Sequence, residues 1–311
     1  MPPKSLLVIF GATGNQGFST AHSILTSPTL STTYSVRALT RSPSSPKAQT
    51  LASLGAEIHH VDLDDPSTLA PALKGAHTVF ALTTTTYDGT TWDAETRQGR
   101  ALVDEAVAQG VQHIMWSSLP SPRWISGGKL KEAVHFDVKF ELETYIRGLP
   151  VKSSFFAPAS FMQNFLSNQR PREAGDGTFV LALPMPGSTV WPLIDIRDTG
   201  ALVGAMLGEP GAFEGRMVCA AEGLYTVDEI VATMSKVSGK VVRHVEVGDE
   251  EFKGYLPEAT RGMLTDMFLF VRDYGYYGAE TEREVRWGKE RAIGKVTGLE
   301  EFLKGVGFTL G

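Results

Sequence analysis

The sequence predicts an α/β fold: a Rossmann-type, doubly wound parallel sheet with a smaller α+β C-terminal domain. Two observations lead to this prediction. The apolar run 6–10 passes directly into the glycine-rich turn 11–17, which is the pattern of a first strand followed by a phosphate-binding helix N-terminus. Strand-like and helix-like segments then alternate through the first half of the chain, as in parallel sheets that helices cover on both faces.

The predicted strands of the first half are short and rich in β-branched or aromatic residues. They cover 6–10, 34–40, 57–61, 78–83, 114–117 and 153–158. Helices are expected between them at 18–25, 46–54, 66–73 and 94–109, and around 135–139. Several of these segments end at a glycine, which is the usual residue just past a helix C-terminus.

The second half of the chain is less regular. We expect a small hairpin within 175–187, helices at 199–207 and 226–237, and an aromatic-rich helix over 252–270. The apolar face of this last helix either packs in the core or closes a substrate pocket. The nucleotide-binding domain is therefore assigned to residues 1–155, with the chain returning to it around 188–225. Residues 156–311 are assigned mainly to the smaller domain, which forms a cleft with the first.

The composition excludes several classes of protein. The net charge of −6 over 311 residues argues against direct nucleic-acid binding through a basic surface. The single cysteine, Cys219, cannot form an intrachain disulfide and is interpreted as a small buried side chain. We find neither a signal peptide nor an apolar run of the roughly 20 residues that a membrane span needs. We therefore expect a cytoplasmic protein, with nuclear entry left open.

The glycine turn indicates a dinucleotide site with a preference for NADP(H). Gly11 permits the tight turn, Gly14 lets backbone N–H groups approach a pyrophosphate, and Gly17 allows close packing of helix and strand. NAD-specific folds place a carboxylate at the end of the second strand, but this chain has Thr40 and Arg41 there. A guanidinium can bind a 2′-phosphate, which a carboxylate would repel.

The run His59–Asp65 superficially resembles a metal site. Adjacent residues on a strand point to opposite faces, so His59 and His60 diverge and no metal is expected. Because this stretch ends the third strand, Asp62 and Leu63 are interpreted as neighbours of an adenine ring.

Candidate residues for hydride chemistry follow the fourth and fifth strands and lie on the next helix. They include residues 83–87, among them Tyr87, and Ser117. His135 and Lys139 are four residues apart and share one helical face. Short-chain dehydrogenases have Tyr-x-x-x-Lys at such a place, so histidine stands where the catalytic tyrosine would be. Either His135 acts as an acid or it only packs; Lys139 either binds the cofactor ribose or is solvated. Trp124 lies in the loop 120–129, either a lid or a simple connection.

Several longer motifs together resemble the NmrA-like proteins, which are atypical members of the short-chain dehydrogenase/reductase superfamily. They are GATGNQG, VRALTRSPS, DLDD, QGRALVDEAVAQGVQHIMWSSL, HFDVKFELETYIRGLPV, FFAPASFMQNF and PLIDIRDTG. The resemblance covers nearly the whole chain and is closest to the branch of NADPH redox sensors, which carry the same HFDxK segment.

The resemblance implies roles for further residues. It implies that the pyrophosphate is held by Gly11, Thr13, Gly14, Asn15, Gln16 and Gly17, and the 2′-phosphate by Thr40 and Arg41. It also implies that Thr83 and Thr84 lie near the central ribose and Lys139 at the nicotinamide ribose. Phe156, Ala157 and Pro158 would lie by the nicotinamide, with Phe161 and Asn164 in the substrate cleft.

Two functions remain open at this point. The first is an NADPH-dependent reductase of a small apolar or aromatic carbonyl, imine or enone compound, with Lys139 and His135 as its catalytic candidates. The second is a non-catalytic sensor of the NADPH/NADP ratio that regulates a partner protein such as a transcription regulator. The partner is accordingly a small-molecule substrate or a regulatory protein, and homodimerisation is left open.

Overall fold

The computed structural model describes residues 3–311. Its strands are β1 (Ser5–Ile9), β2 (Tyr34–Thr40), β3 (Glu57–His60), β4 (Thr78–Ala81), β5 (His113–Ser117), β6 (Lys152–Pro158), β7 (Ser160–Phe161), β8 (Arg172–Glu173), β9 (Phe179–Leu183), β10 (Val190–Ile194), β11 (Met217–Ala220), β12 (Gly223–Thr226) and β13 (Val242–Glu246).

Its helices are α1 (Asn15–Thr26), α2 (Leu30–Thr33), α3 (Pro46–Ser53), α4 (Leu69–Leu73), α5 (Thr91–Ala108), α6 (Pro122–Ile125), α7 (Val134–Arg147), α8 (Thr199–Gly208), α9 (Pro210–Phe213), α10 (Val227–Ser238), α11 (Asp249–Gly254), α12 (Arg261–Tyr274), α13 (Thr281–Lys289) and α14 (Leu299–Gly305). Short 3₁₀ turns lie at Pro66–Thr68, Met162–Leu166, Ile196–Asp198 and Glu258–Thr260.

The main sheet of the described chain has seven strands in the order β11-β6-β5-β4-β1-β2-β3. All its neighbouring strands run parallel. The chain proceeds outward from β1 to β3 and then crosses back to β4 on the other side of β1. The strand order therefore reverses between β1 and β4, and ligands of open α/β sheets bind beyond the strand ends at such a point. The predicted Rossmann-type fold is confirmed.

Both faces of this sheet are buried. Leu7 and Ile9 of β1 belong to the core that α1 and α8 cover, whereas Val8 belongs to the core beneath α5 and α7. Alternation along the strand explains why consecutive apolar residues serve opposite cores. Both α8 and β11 lie inside the segment 188–225, and they contact α1 and β6 of the first half respectively.

The second region has two small sheets, β12-β10-β7 and β13-β9-β8. The indole of Trp191 lies at its centre, edge-on to the rings of Phe165 and Phe268, with centroids 6.0 and 5.6 Å away. These aromatic pairs connect the 3₁₀ turn after β7 with α12. This second core therefore holds α12 beside the 3₁₀ turn Met162–Leu166, which follows the end of β6.

Two predictions for the second half need correction. The hairpin expected within 175–187 begins earlier, because β8 pairs antiparallel with β9 and the residues after Leu183 form no strand with them. The single helix expected over 252–270 is two helices, α11 and α12. Pro257 lies between them, and proline cannot continue a helix because it lacks the N–H and its ring clashes with the preceding turn.

No helix within residues 3–311 combines the length and the apolar character that a membrane crossing requires.

Candidate functional site

The turn after β1 is built at the limit of close packing. Gly11 has a φ of +58°, in the left-handed region that favours glycine. A Cβ on Gly17 would lie 2.3 Å from the carbonyl oxygen of Gly11 and 2.8 Å from that of Phe10. Only glycine at position 17 lets α1 approach the strand end this closely.

The N-terminus of α1 is available to an anion. Gly14 is the N-cap, and no side chain caps the first turn, which also contains no acidic residue. The N–H groups of a helix's first turn have no intrahelical acceptor, and the helix dipole adds positive charge there. The turn therefore has the donors and the charge that a phosphate group requires.

A cavity of about 450 Å³ lies on one side of this turn, and we call it the Arg41 cavity. Thr13 is hydrogen-bonded to Thr40 with 2.8 Å between their hydroxyl oxygens, which ties the glycine turn to the end of β2. The lining residues are Phe10, Gly11, Thr13, Gly14, Leu39, Thr40, Arg41, Ser42, Val61, Asp62, Leu63, Asp64, Leu82, Thr84, Thr86 and Gln98. The structure thus brings Thr40, Arg41, Asp62 and Leu63 together at one end of the turn.

A second cavity of about 440 Å³, the central cleft, lies on the other side of the turn. Its lining residues are Gly11, Gly14, Asn15, Gln16, Gly17, Leu82, Thr83, Thr84, Thr85, Tyr87, Ser117, Ser118, Leu119, His135, Phe136, Lys139, Pro158, Ala159, Ser160, Phe161, Asn164, Asn168, Gln169, Leu264, Met267 and Tyr276. Gly11, Gly14, Leu82 and Thr84 line both cavities. A continuous groove therefore crosses the carboxyl ends of β1 and β4.

Lys139 is not a solvated lysine. Its ammonium donates to the carbonyl oxygen of Thr83 at 2.7 Å and to the hydroxyl of Thr83 at 2.6 Å. It also forms an ion pair with Glu95 of α5, whose side chain is fully buried. Thr83 and Thr85 donate hydroxyl hydrogen bonds to the same carboxylate. Lys139 is thus held rigidly in the floor of the central cleft.

Glu95 is a residue that the sequence interpretation missed. From the sequence, we considered Lys139 without a buried acidic partner. A signal was nevertheless present, because Glu95 continues the buried face of α5, which contains Gly99, Leu102, Val103 and Ala106. A carboxylate on the apolar face of an amphipathic helix needs a buried partner. Burial lowers the pKa of the Lys139 ammonium, and the Glu95 carboxylate acts in the opposite direction.

His135 is buried on the cleft wall and is a poor candidate for an acid. Burial, with the nearby charge of Lys139, lowers the pKa of its imidazole to about 3. Its Nδ1 atom is buried and has no hydrogen-bond partner within the described chain. The ring is therefore neutral near pH 7 and carries no acidic proton of the imidazolium type.

Tyr87 and Ser117 are the hydroxyl groups of the cleft that were predicted as substrate neighbours. The Tyr87 ring lies 6.4 Å from the His135 ring, centroid to centroid. Burial and the charge of Glu95 raise the pKa of the Tyr87 phenol, so it keeps its proton near neutral pH. The hydroxyl of Ser117 donates to Gln16 Oε1 at 2.8 Å, which connects β5 to the first turn of α1.

Three predicted residues do not line the cleft. Phe156 and Ala157 are fully buried in the main core, and the Phe156 ring packs edge-on against Phe80 at 6.3 Å. They lie within the parallel strand β6, so only Pro158 at its end reaches the cavity. Trp124 is 77% exposed and lies on the short helix α6, outside the cleft lining. The structure thus does not bring Trp124, whose loop was interpreted as either a lid or a simple connection, to the cleft.

The far wall of the cleft comes from the second region, where the sequence interpretation placed Phe161 and Asn164 but missed other residues. Among these are Asn168, Gln169, Leu264, Met267 and Tyr276. The Tyr276 hydroxyl donates to the carbonyl oxygen of Pro158 at 3.1 Å, which ties the end of β6 to the segment after α12. The aromatic and apolar richness of 252–270 was the available signal, but it did not indicate which side chains face the cleft.

Other nucleophile and metal chemistry finds no support in the part of the chain that the structure covers. Cys219 is buried, and burial raises the pKa of its thiol. No group of three or more His, Cys, Asp or Glu side chains within residues 3–311 could hold a metal ion.

Among known protein families, the model of the NmrA-like family matches residues 3–303 of this chain. The NmrA-like family domain-containing oxidoreductase hkm9 of Aspergillus hancockii is 32% identical, over 94% of this chain and 91% of that protein.

Two solved structures share the fold. One is NmrA, a negative transcriptional regulator, in complex with NADP, with a TM-score of 0.79 and 21% identity over 97% of this chain and 95% of that one. The other is the Citrobacter sp. triphenylmethane reductase complexed with NADP(H), with a TM-score of 0.73 and 23% identity over 97% and 99%. The family match and the similarity to the Aspergillus oxidoreductase both extend over most of the chain, and the protein therefore belongs to the NmrA-like family.

Proposed function

We propose that this protein binds NADP(H) in the groove across β1 and β4 and acts as an NADPH-dependent reductase. The observation that supports reductase activity is the shape of the central cleft. It continues past the glycine turn to a wall of side chains from the second region, and Lys139 lies in its floor. A protein that only bound a dinucleotide would not need this additional space beside the groove.

The residues present fit the cofactor. The uncapped first turn of α1 offers N–H donors to the pyrophosphate, and glycine at positions 11, 14 and 17 leaves room for it. The guanidinium of Arg41, with the hydroxyls of Thr40 and Ser42, would hold the 2′-phosphate at the other end of the groove. NADP or NADP(H) in the two solved structures of the same fold supports this assignment.

The bound dinucleotide would supply a hydride, and this chain's residues would position and protonate the substrate. Lys139, held by Glu95 and Thr83, would fix the ribose at the nicotinamide end. Tyr87 lines the central cleft, and its phenol is the hydroxyl group that we assign to proton donation. The buried imidazole of His135, which is neutral near pH 7, would form the part of the wall beside Tyr87.

The substrate class follows from the far wall. Phe161, Leu264 and Met267 are apolar, and the side-chain amides of Asn164, Asn168 and Gln169 can orient a carbonyl or imine. We therefore expect a small apolar or aromatic carbonyl, imine or enone compound. The similarity to an oxidoreductase of Aspergillus hancockii supports a reductase.

A sensor of the NADPH/NADP ratio is the second candidate. The observation that favours it is the environment of His135, which stands at the position of the usual catalytic tyrosine and carries no acidic proton near pH 7. A sensor would need only differential affinity of its two states for the two nucleotides. The similarity of fold to a transcriptional regulator is compatible with it.

Consumption of NADPH by the purified protein separates the two candidates. We expect oxidation of NADPH with at least one member of a panel of quinones, ketones and imines, and a loss of about 100-fold in kcat for Tyr87→Phe at an unchanged dissociation constant for NADPH. Absence of turnover with every compound, together with an NADPH-dependent change in oligomeric state or partner binding, would contradict the reductase and favour the sensor.

A further inference from the structure

A third cavity, of about 290 Å³, lies beyond the far wall of the central cleft, and we call it the distal cavity. Its walls come from the edge of the small β13-β9-β8 sheet and from α11 and α12. The apolar side chains of Val180, Ala182, Phe252, Leu256 and Phe268 provide most of them. Nothing in the proposed dinucleotide site uses this space.

The distal cavity adjoins the central cleft. Asn168, Gln169 and Leu264 line both cavities, so these three side chains form the junction between them. Leu264 is held on α12, whereas Gln169 is fixed by a hydrogen bond from its backbone N–H to the carbonyl oxygen of Asn164 at 2.9 Å. Since Asn164 also lines the central cleft, the junction and the cleft are parts of one connected wall.

The junction contains an unused acceptor. The Oε1 atom of Gln169 is buried and has no hydrogen-bond partner within the described residues. An unsatisfied buried acceptor is unfavourable, and a ligand that carries an N–H or O–H group at this point would satisfy it. The surface of the distal cavity is mostly apolar, although Arg170, Arg172 and Glu173 also line it, so it favours hydrocarbon or aromatic groups.

We propose that the distal cavity is the second compartment of the substrate site and that the substrate is elongated. Its reactive carbonyl or imine lies in the central cleft beside Tyr87. A hydrogen-bond donor near its middle meets Gln169, and an apolar tail fills the space between Ala182, Phe252 and Phe268. This inference rests on the proposed function for the identity of the reactive end, but the second compartment can be tested without turnover.

Equilibrium binding of alkyl phenyl ketones of increasing chain length tests the compartment. The reporter is the fluorescence of N-phenyl-1-naphthylamine, which each ketone displaces from the full chain in the absence of cofactor. Each buried methylene is worth about 0.8 kcal/mol, so the affinity of the wild type should rise about fourfold per methylene until the cavity is full.

Two variants with different structural risks should remove this rise. Ala182→Phe fills the cavity from β9, and Leu264→Trp narrows the junction from α12. Val190→Phe is the matched control, because Val190 is an exposed strand residue that lines neither cavity. We expect less than a twofold change per methylene in the first two variants and the wild-type rise in the control. An unchanged rise in both cavity variants would overturn the second compartment.

The role of Gln169 has its own test. Gln169→Leu should weaken binding of N-phenyl-1-naphthylamine, which has an N–H between its aromatic groups, by about fivefold to tenfold. The N-methylated probe should bind the wild type and this variant equally. Equal loss of both probes would contradict a hydrogen bond to Gln169.

Titration of NADPH against the wild type and Ala182→Phe distinguishes failure of this inference from failure of the proposed function. We expect the same dissociation constant for NADPH in the wild type and in Ala182→Phe, because Ala182 lines the distal cavity and not the central cleft. A wild type that shows the chain-length dependence but binds no NADPH would overturn the proposed function and support the second compartment.

Discussion

The two walls of the central cleft are built from different kinds of structure. The wall on the main-sheet side consists largely of strand ends, the glycine turn and the first turn of α1, and buried Lys139 and Glu95 brace it. The far wall consists of side chains such as Phe161, Leu264 and Met267. Backbone geometry on the first wall leaves little freedom for substitution, whereas side chains on the second can change without altering the dinucleotide groove. The first wall is therefore suited to one cofactor, whereas substitutions on the second could change which substrate fits.

Gly17→Val should produce the largest effect, because its side chain clashes with the backbone of the first wall. Its Cβ would lie 2.3 Å from the carbonyl oxygen of Gly11, so the turn must move. We expect at least a 100-fold loss of NADPH affinity and a loss of about 3 kcal/mol in the free energy of unfolding. Gly208→Ala is the control, since a Cβ there meets no atom within 4 Å. Fluorescence titration and urea unfolding measure both effects; unchanged NADPH affinity would contradict the role of the turn.

Glu95→Gln tests whether the ion pair braces the first wall. It leaves the Lys139 ammonium without its buried carboxylate, which should lower the free energy of unfolding by about 3–5 kcal/mol in urea. Addition of Lys139→Met to this variant should restore most of the stability, because no unpaired charge then remains. A loss below about 1 kcal/mol for Glu95→Gln would show that water or another group solvates Lys139.

His135→Gln tests whether the buried imidazole makes the free energy of unfolding depend on pH. The pKa of His135 is about 3 in the folded protein against an ordinary value of 6.5, so between these values the unfolded state binds more protons. Stability is therefore lost as the pH falls through this window, by about 2 kcal/mol at pH 5 from this group. Urea unfolding measures the free energy of unfolding at pH 7.5 and at pH 5. The difference between these two values should be smaller in the variant than in the wild type by that amount. His22→Gln, at an exposed position, should leave the difference unchanged; an equal effect of both variants would contradict the assignment.

Trp124→Ser should have the smallest effect, since the indole is 77% exposed and lies outside both walls. We expect less than a twofold change in the dissociation constant of NADPH and in kcat/KM for any substrate found. A tenfold change in either constant would return Trp124 to the site.

The contrast between the walls also explains what could be predicted from the sequence. The spacing of Gly11, Gly14 and Gly17 is a local pattern, and a local pattern sufficed to predict the turn and the parallel sheet around it. The far wall depends on how α12 packs against the segment after β7, which no short stretch of sequence specifies. Trp124 illustrates the difficulty, because an aromatic residue in a short loop has no periodicity that indicates its direction. Glu95 could have been found from its place on the apolar face of α5, but its partner, Lys139, is distant in sequence.

We propose that the groove across β1 and β4 binds NADP(H) and that Arg41, in the Arg41 cavity at one end of this groove, selects it over NAD(H). The most direct measurement is the dissociation constants of NADPH and NADH, in parallel, for the wild type and for Arg41→Asp. We expect the wild type to prefer NADPH, and the variant to lose about 10-fold to 100-fold in NADPH affinity while its NADH affinity changes less than threefold, because only NADPH carries the 2′-phosphate. Equal losses for both nucleotides, or a wild type without preference, would contradict the claim.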